Sequence, residues 1–289
     1  MSLHLNVNAI SADDETLRRY CEAGEFPVLV LTAAHLSGDL SLLRPEWTPT
    51  YTLCCYAGGL SPEQEAAGRA LCFQKLKAFR DSGQPAPGRP SYDFMFPVLN
   101  WICGKDAEPL QRLLDEQIVF GNDDPQAPRW TKQKLAPNRE FHVSIVGAGE
   151  SGLLTAWRLK QAGVPFTIFE KNSEVGGTWW ENTYPGCRVD INSFIYSYTF
   201  AQKIWPDYFG GRDDVLAYLK ECARELGLYE HIRFNTEVTG SSWDERRKCW
   251  ELSLRTSKGE ERARSNVLVS AVGQLNRPSF PDIEGRDDF

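Results

Sequence analysis

The chain has 289 residues, of which 42% are hydrophobic and 25% are charged, and its net charge is −7. This length predicts about two domains, and the acidic balance argues against a general nucleic-acid-binding protein, whose binding surface would be basic. Residues 1–12 lack the regions of a signal peptide, and the longest apolar run, Phe26–Ala34, is too short to span a bilayer. We therefore expect a cytoplasmic protein without a nucleic-acid or membrane partner.

The cysteines and histidines do not form a pattern typical of a disulfide framework or a metal site. The eight cysteines are scattered without a C-x-x-C pair, and in the absence of a signal peptide we expect reduced thiols. None of the four histidines lies at metal-ligand spacing from cysteines or acids. We therefore predict no metal.

Residues 1–124 are predicted to form a mostly α-helical domain for interaction or oligomerisation. Ser61 and Pro62 are typical of a helix N-cap and first position, and Gln64 can complete a capping box. Apolar residues then recur every three or four positions on one helical face, and Gly83 stands where the helix should stop. The residues of this face are Ala66, Ala70, Phe73, Leu76 and Phe79.

A loop, a second helix and a linker are predicted after this helix. Asp81–Pro90 is rich in proline and glycine and should be a loop. Ala107–Ile118 is predicted to be a helix with three leucines on one side, at 110, 113 and 114. Residues 125–139 are polar, contain three prolines and lack periodicity. We interpret them as the linker to a second domain over residues 140–289.

The second domain begins with a pattern of strand, helix and strand. Phe141–Val146 and Pro165–Phe169 are predicted strands on either side of a helix at Leu153–Ala162, which is a βαβ unit. Asp213–Leu226 is predicted to be another helix. Three strands follow, separated by charged, turn-rich segments, at Ile232–Val238, Cys249–Arg255 and Asn266–Val272.

A G-x-G-x-x-G loop lies between the first predicted strand and its helix. Gly147 permits a tight turn, Gly149 leaves room for a pyrophosphate, and Gly152 lets the helix pack close to the strand, so that its N-terminal N–H groups face the phosphates. The second strand ends at Glu170, which is 23 residues after Gly147. That is near the spacing at which an acid binds ribose hydroxyls. The sequence therefore predicts a site for a ligand that contains adenosine diphosphate.

Glu170 and a second glycine segment indicate which ligand binds. A carboxylate at this position repels a 2′-phosphate, so NADP is disfavoured at this loop and FAD or NAD remain. Gly176, Gly177 and Thr178 follow the ribose-binding strand, where an extended FAD needs close backbone approach and a plain NAD domain does not. We predict FAD, with NAD as the alternative. The fold class expected is α/β, with a Rossmann-like FAD-binding domain of the glutathione-reductase type that carries a three-stranded β-meander.

Two stretches carry a resemblance to a known family. The run GGTWWENTYPGCRVD from Gly176 to Asp190, with Ile191–Phe200 after it, resembles class B flavoprotein monooxygenases of the Baeyer–Villiger type, and so does Ala271–Gly285. Within that family the sequence most resembles the 4-hydroxyacetophenone monooxygenases, which have a similar N-terminal extension. The resemblance implies an FAD- and NADPH-dependent enzyme that inserts one oxygen atom from O₂ into a ketone, an aryl ketone for this subfamily, and forms an ester through a peroxyflavin.

The same resemblance implies roles for individual residues. The residues expected at the adenosine half of FAD are Gly147, Gly149, Ser151, Gly152, Glu170 and, through its backbone, Val238. Those expected at the flavin half are Thr178, Trp179, Trp180, Glu181, Asp190 and Tyr196, and the further cofactor contacts are Lys171, Gly177 and Gly273. Arg188, Val189 and Asp190 would face the nicotinamide cofactor. Asp190 is the predicted catalytic residue, because it would position an active-site arginine beside the negative peroxyflavin.

The resemblance also implies that the chain is the N-terminal part of a longer enzyme. The family fingerprint is expected to begin at Phe289, so most of the NADPH site would lie outside this chain. The chain alone is predicted to bind FAD weakly at best and not to oxygenate ketones. The expected partners are a ketone, O₂ and, by analogy with the extended subfamily, a second copy bound through the helical region. The alternatives are a non-catalytic FAD- or nucleotide-binding and dimerisation module, and a flavin-dependent N- or S-oxygenase.

Overall fold

The computed structural model describes residues 10–49, 60–103, 118, 124–274, 276 and 279–288. The predicted helix at 107–118 lies outside this part of the chain, apart from Ile118, and Phe289 lies outside it too. The chain divides between Pro125 and Gln126 into two compact units. No helix among the described residues combines the length and the apolar character that crossing a bilayer requires.

The described part of the first unit is helical, as predicted. Its helices are α1 (Asp14–Ala23), α2 (Phe26–Ser37), α3 (Pro62–Ser82) and α4 (Tyr92–Cys103), with 3₁₀ turns at Leu40–Leu42 and Pro45–Trp47. Asp13 caps α1 by accepting a hydrogen bond from the Thr16 N–H at 2.8 Å. Helices α1, α2 and α3 share one apolar core, and its largest buried residues include Leu17, Phe26, Trp47, Phe73 and Leu76.

The ends of α3 follow the prediction made from its sequence. The Gln64 N–H donates to the Ser61 hydroxyl at 3.3 Å, and the Ser61 N–H donates to the Gln64 side chain at 3.0 Å, which completes the capping box. Gly83 ends the helix with a φ of +65°. The predicted loop therefore begins two residues later than expected, because Asp81 and Ser82 still belong to α3.

The predicted apolar face of α3 is wrong in its first two turns. Ala66 and Ala70 are exposed, whereas Gly68 and Cys72 are buried with the three later residues of the predicted face. A Cβ added to Gly68 would lie 2.4 Å from the Phe26 ring. The helix thus turns its smallest residue toward α2, and hydrophobic periodicity alone does not reveal that choice because alanine is tolerated on either side of a helix.

The second unit contains a parallel sheet with strand order β3-β2-β1-β7. In chain order its elements are α5 (Lys132–Leu135), β1 (Val143–Val146), α6 (Glu150–Gln161), β2 (Phe166–Phe169), α7 (Thr178–Glu181), α8 (Arg212–Glu225), a 3₁₀ turn (Tyr229–His231), β3 (Ile232–Arg233), β4 (Glu237–Asp244), β5 (Cys249–Thr256), β6 (Gly259–Ser265), β7 (Val267–Ser270) and a 3₁₀ turn (Arg286–Asp288). Val143 is paired with Phe166 on one side and with Val267 on the other. Strand β1 is therefore central, and the loop that follows it lies at the middle of the sheet edge.

The expected α/β fold with a meander is present, but its strands differ from the predicted ones. The predicted strand at Ile232–Val238 is two strands, because β3 pairs with β2 in the parallel sheet and β4 begins the meander β4-β5-β6. Asn235, between them, has a φ of +50°, which turns the chain from one sheet to the other. The predicted strand at Asn266–Val272 becomes β7 of the parallel sheet.

Strand β6 was not predicted. Its sequence, Gly259-Glu-Glu-Arg-Ala-Arg-Ser265, lacks the apolar alternation from which strands are recognised. It forms because β5 presents a complete row of backbone partners, with pairs from Trp250–Ser265 to Thr256–Gly259. Most of its side chains remain exposed, as suits an edge strand.

The predicted linker contains structured residues. Helix α5 is capped by Thr131, whose hydroxyl accepts the Lys134 N–H at 3.3 Å. The Lys132 N–H donates to the Ala162 carbonyl at 2.8 Å. This bond attaches the short helix to the C-terminal end of α6.

Candidate functional site

The glycine loop makes a tight turn at the carboxyl end of β1. Gly147 has a φ of +101°, and its N–H donates to the Phe169 carbonyl at 2.8 Å. A Cβ on Gly147 would lie 2.6 Å from the Ala271 carbonyl oxygen, and a Cβ on Gly152 would lie 2.0 Å from the Gly147 carbonyl oxygen. Both positions therefore require glycine, one for its backbone angle and both for close packing.

The two glycine segments of the sequence meet in space. Gly149 is the N-cap of α6 and Gly177 is the N-cap of α7, and no side chain caps either helix. A Cβ on Gly149 would lie 3.5 Å from the Gly177 Cα. The Gly176 N–H donates to the Ala148 carbonyl at 3.1 Å. Backbone atoms therefore line the site, and the N–H groups of the first turn of α6, which no side chain caps, lie at its centre.

The Glu170 carboxylate stabilises the glycine loop through hydrogen bonds to backbone N–H groups. The residue is 3% exposed, and its two carboxylate oxygens accept the N–H groups of Ala148 at 2.6 Å and Asn172 at 2.8 Å. Each oxygen keeps further acceptor capacity, so the ribose role expected for Glu170 stays a prediction. Sequence reasoning missed that this carboxylate also fastens the loop.

Lys171 and Glu181 connect the end of β2 to α7. The Lys171 Nζ lies 2.8 Å from a Glu181 carboxylate oxygen and 3.1 Å from the Asn276 side-chain oxygen. Burial raises the pKa of Glu181, but hydrogen bonds from Asn172 and Lys171 outweigh burial and leave that pKa below its usual value. Glu181 is therefore an anion at neutral pH. Thr178, at the start of the same helix, is exposed.

Trp179, which is buried, and Tyr196, which is half-buried, form a pair beside this segment. The Trp179 Nε1–H donates to the Tyr196 hydroxyl at 3.0 Å, and the two rings meet edge to face with centroids 5.5 Å apart. Trp179 is 7% exposed and packs in the core of the unit. The structure thus brings together two residues that the sequence places 17 positions apart.

Glu150 completes this group, and sequence reasoning did not select it. An indole N–H can only donate, so the Tyr196 hydroxyl keeps its own proton for its hydrogen bond with the Glu150 carboxyl. Burial, followed by the negative charge of Glu150, raises the pKa of Tyr196 to about 12. Burial also raises the pKa of Glu150, which is the first residue of α6. The Glu150 carbonyl accepts the Tyr198 hydroxyl at 2.6 Å.

Trp180 is half-buried on the other side of α7. Its ring lies under the Lys220 ammonium, 5.1 Å from the centroid, and its carbonyl accepts the Arg212 guanidinium at 3.1 Å. Two cations from α8 thereby fix Trp180 in place.

The residues predicted to face a nicotinamide cofactor alternate in exposure. Arg188 and Asp190 are exposed, and Val189 between them is buried. The Val189 N–H donates to the Gly210 carbonyl at 3.0 Å. The Val189 side chain therefore packs inward, and only the two charged side chains are open to a ligand. Asp190 lies close enough to Tyr196 for its charge to raise the pKa of that hydroxyl.

The remaining three predicted contacts lie in separate segments of the second unit. Val238 is half-buried in β4, opposite Leu254 and next to a bulge. Gly273 has a φ of +75° in the exposed segment after β7. Ser151 is exposed in the first turn of α6. Among the described residues, no group of three or more His, Cys, Asp or Glu side chains is arranged to hold a metal ion.

Comparison with known proteins finds relatives for part of the chain. Residues 145–209 match the family model described as an NAD(P)-binding Rossmann-like domain. An FAD-binding monooxygenase of Aspergillus niger is 42% identical over 158 residues, which are 51% of this chain and 26% of that protein. A Baeyer–Villiger monooxygenase of Streptomyces coelicolor is 42% identical over 161 residues, 54% of this chain and 30% of that protein. The chain is homologous to these enzymes and spans about a quarter to a third of their length.

A longer sequence match and two solved structures are also similar to part of the chain. An uncharacterised monooxygenase of Sinorhizobium fredii is 39% identical over 209 residues, which are 65% of this chain and 32% of that protein. Among solved structures, OTEMO in complex with FAD and NADP is 34% identical, with a TM-score of 0.47, over 52% of this chain and 28% of that one. Steroid monooxygenase bound to NADP is 34% identical, with a TM-score of 0.46, over 51% of this chain and 28% of that one.

Proposed function

We propose that this chain is the FAD-binding portion of an FAD- and NADPH-dependent monooxygenase, which inserts one oxygen atom from O₂ into a ketone and forms an ester. The observation that carries the proposal is the backbone contact between Gly149 and Gly177. It joins a dinucleotide-binding loop to the segment through which an extended flavin cofactor would continue. Homology to FAD-binding and Baeyer–Villiger monooxygenases supports the same conclusion.

The residues of the site suit FAD. The first turn of α6 has no side-chain cap, so its N–H groups and the positive end of the helix dipole are suited to a diphosphate. Gly149 presents no side chain that would keep the phosphates from the backbone. Glu170 holds the loop in this shape before any ligand arrives. NAD would need the first glycine segment only, whereas FAD uses the second as well.

Bound FAD would supply the redox chemistry with O₂, and NADPH would supply the hydride. The chain's own residues would orient these groups. Buried Trp179 and half-buried Tyr196 would together exclude water from one side of α7, and the exposed carboxylate of Asp190 is available to orient an arginine. Arg188, exposed beside it, carries the positive charge that a nicotinamide dinucleotide phosphate attracts.

The substrate and the assembly are inferred from the family resemblance. We infer an aryl ketone, because the sequence is similar to 4-hydroxyacetophenone monooxygenases through its N-terminal extension. We also infer a cytoplasmic homodimer that forms through the helical first unit. Incubating the full-length gene product with NADPH, O₂ and a series of aryl and aliphatic ketones tests the reaction, since an ester product with one ¹⁸O atom from ¹⁸O₂ is expected.

Cofactor binding is tested with the chain itself. Gly149→Ala should fold normally, because its Cβ would meet the Gly177 Cα at an ordinary 3.5 Å and its φ of −78° suits alanine. The added methyl group would nevertheless occupy the surface on which the diphosphate lies. We expect at least a tenfold weaker FAD affinity by flavin fluorescence titration, whereas Gly240→Ala, in open space on the meander, should bind like the wild type. Equal affinity in all three proteins would count against the proposed site, and a chain that binds NAD but not FAD would favour the nucleotide-binding module.

A further inference from the structure

The first unit contains a cavity of about 640 Å³ that the proposed function does not use. It lies between α2, the C-terminal end of α3, the loop after α3, and α4. Leu31 and Phe79 contribute from the first two helices, Ala86 from the loop, and Phe94 and Val98 from α4. Its volume falls within the roughly 300–1,000 Å³ typical of pockets for small molecules.

The described wall of the cavity carries no charged side chain. Thr32 and His35 are its two polar lining residues, and both are used within the protein. The Thr32 hydroxyl donates to the Val28 carbonyl at 2.8 Å. Burial lowers the pKa of His35, against the opposite effect of a hydrogen bond with the Pro87 backbone, so the imidazole is neutral at pH 7. The lining residues that the structure describes therefore offer no compensation for the lost hydration of a charged ligand.

The walls are held in place from outside the cavity. On α4, the Trp101 indole N–H donates to the Arg44 carbonyl at 2.9 Å. Near the end of α3, the Arg80 guanidinium donates to the Ala12 carbonyl at 2.7 Å. Collapse of the cavity would require these helices to move, because Phe79 and Leu99 are already packed in buried positions. The apolar surface is thus preformed.

We propose that this cavity binds an uncharged, largely hydrocarbon small molecule that carries an aromatic ring. The uncharged wall selects against ions, and the rings of Phe79 and Phe94 offer faces and edges for aromatic contact. Phe94 already makes such a contact with His35, edge to face at 6.3 Å. Met95, another lining residue, has a flexible side chain that can adapt to the shape of the ligand. This site is separate from the glycine loops and does not depend on the proposed oxygenase function.

The test uses N-phenyl-1-naphthylamine, an uncharged aromatic probe whose fluorescence rises in apolar surroundings. Titration of the 289-residue chain should give saturable binding of one probe per chain. Leu31→Trp and Ala86→Phe add bulk to the cavity from a helix and from a loop, and each should weaken binding at least tenfold. Val28→Trp is the matched control, because Val28 is on the same helix as Leu31 but is 55% exposed. It should bind like the wild type.

Circular dichroism shows whether each variant folds. The comparison with the wild type is made with Leu31→Trp or Ala86→Phe, whichever is folded. Binding that does not saturate, or that is equal in the wild type and in a folded filling variant, would overturn the proposal. Sedimentation equilibrium at the same concentrations provides a further check. If a dimer forms and excludes the probe, the cavity is covered by a second copy and the small-molecule site does not exist.

Discussion

Gly149 and Gly177, 28 residues apart in the sequence, face each other with their Cα atoms so close that a Cβ on Gly177 would lie 3.0 Å from the Gly149 Cα. The contact is asymmetric. Gly149 has backbone angles that any residue adopts, whereas Gly177 has φ +52° and ψ −118°, a combination that disfavours side chains. Glycine at position 149 therefore leaves the backbone accessible to a ligand, whereas glycine at position 177 permits the backbone turn itself.

This asymmetry predicts different outcomes for the two alanine variants. Gly177→Ala should lower the free energy of unfolding by about 1–3 kcal/mol, the usual effect of a residue held in a sparsely populated conformation. Gly149→Ala should change it by less than about 0.5 kcal/mol. Urea unfolding followed by circular dichroism measures both, with Gly240→Ala as the control. Equal destabilisation by the two variants would mean that crowding, rather than backbone angle, sets the effect.

Glu170 should contribute to the stability of the chain even when no ligand is bound. Glu170→Gln replaces one acceptor oxygen with an NH₂ group that faces a backbone N–H, either that of Ala148 or that of Asn172. Leaving one buried donor unsatisfied should cost about 1–3 kcal/mol. Amide hydrogen exchange is the direct measurement, and the Ala148 and Asn172 amides should exchange faster. Glu140→Gln, at an exposed position, should leave both amides unchanged. Unaltered exchange in Glu170→Gln would show that the loop holds its shape without the carboxylate.

Gly68 gives a prediction in the first unit. Replacing a helical glycine with alanine normally stabilises a helix by about 1 kcal/mol. Here the new Cβ would lie 2.4 Å from the Phe26 ring, and Phe26 is buried. Gly68→Ala should therefore lower the free energy of unfolding. The double variant Gly68→Ala with Phe26→Leu should lose less unfolding free energy than the two single variants lose together, because the smaller side chain removes the clash. Strict additivity in this cycle would contradict the packing explanation.

Structural features that are determined by neighbouring residues were predicted correctly, whereas features that depend on residues distant in the sequence were not. The capping box at Ser61 and the glycine loop at Gly147 follow from neighbouring residues, and both were predictable. Strand β6 exists because β5 offers backbone partners, so its own residues gave no signal. The division of Ile232–Val238 between two sheets depends on which strand lies nearby, and hydrophobic pattern does not encode that. The meander was therefore expected, but with the wrong third strand.

The same distinction applies to the candidate site. The two glycine segments were identified from sequence because glycine has few other reasons to recur at those spacings. Glu150 was not, because its contacts are with Tyr196 and Tyr198, which are more than forty positions away. The assigned cofactor roles of Val238, Gly273 and Arg188 rest on family resemblance and stay predictions.

Tyr196 gives the last prediction, and it includes a dependence on pH. Tyr196→Phe removes the acceptor of the buried Trp179 N–H, which should lower the free energy of unfolding at pH 7 by about 1–3 kcal/mol. The pKa of Tyr196 is about 12 in the folded chain, against an ordinary value of 10.0. Because the folded-state pKa is the higher one, the tyrosine's contribution is complete below pH 10 and is lost as the pH rises toward 12. The stability difference between the wild type and Tyr196→Phe should therefore shrink over that interval.

Urea unfolding at pH 7, 9, 10 and 11 measures this difference directly, since the other tyrosines are present in both proteins. Tyr184→Phe is the control at pH 7, because Tyr184 is 61% exposed and its loss should change stability by less than about 0.5 kcal/mol. A difference between the wild type and Tyr196→Phe that stays constant up to pH 11 would mean that the phenol is not linked to folding, and that the Trp179 indole alone holds this side of the site.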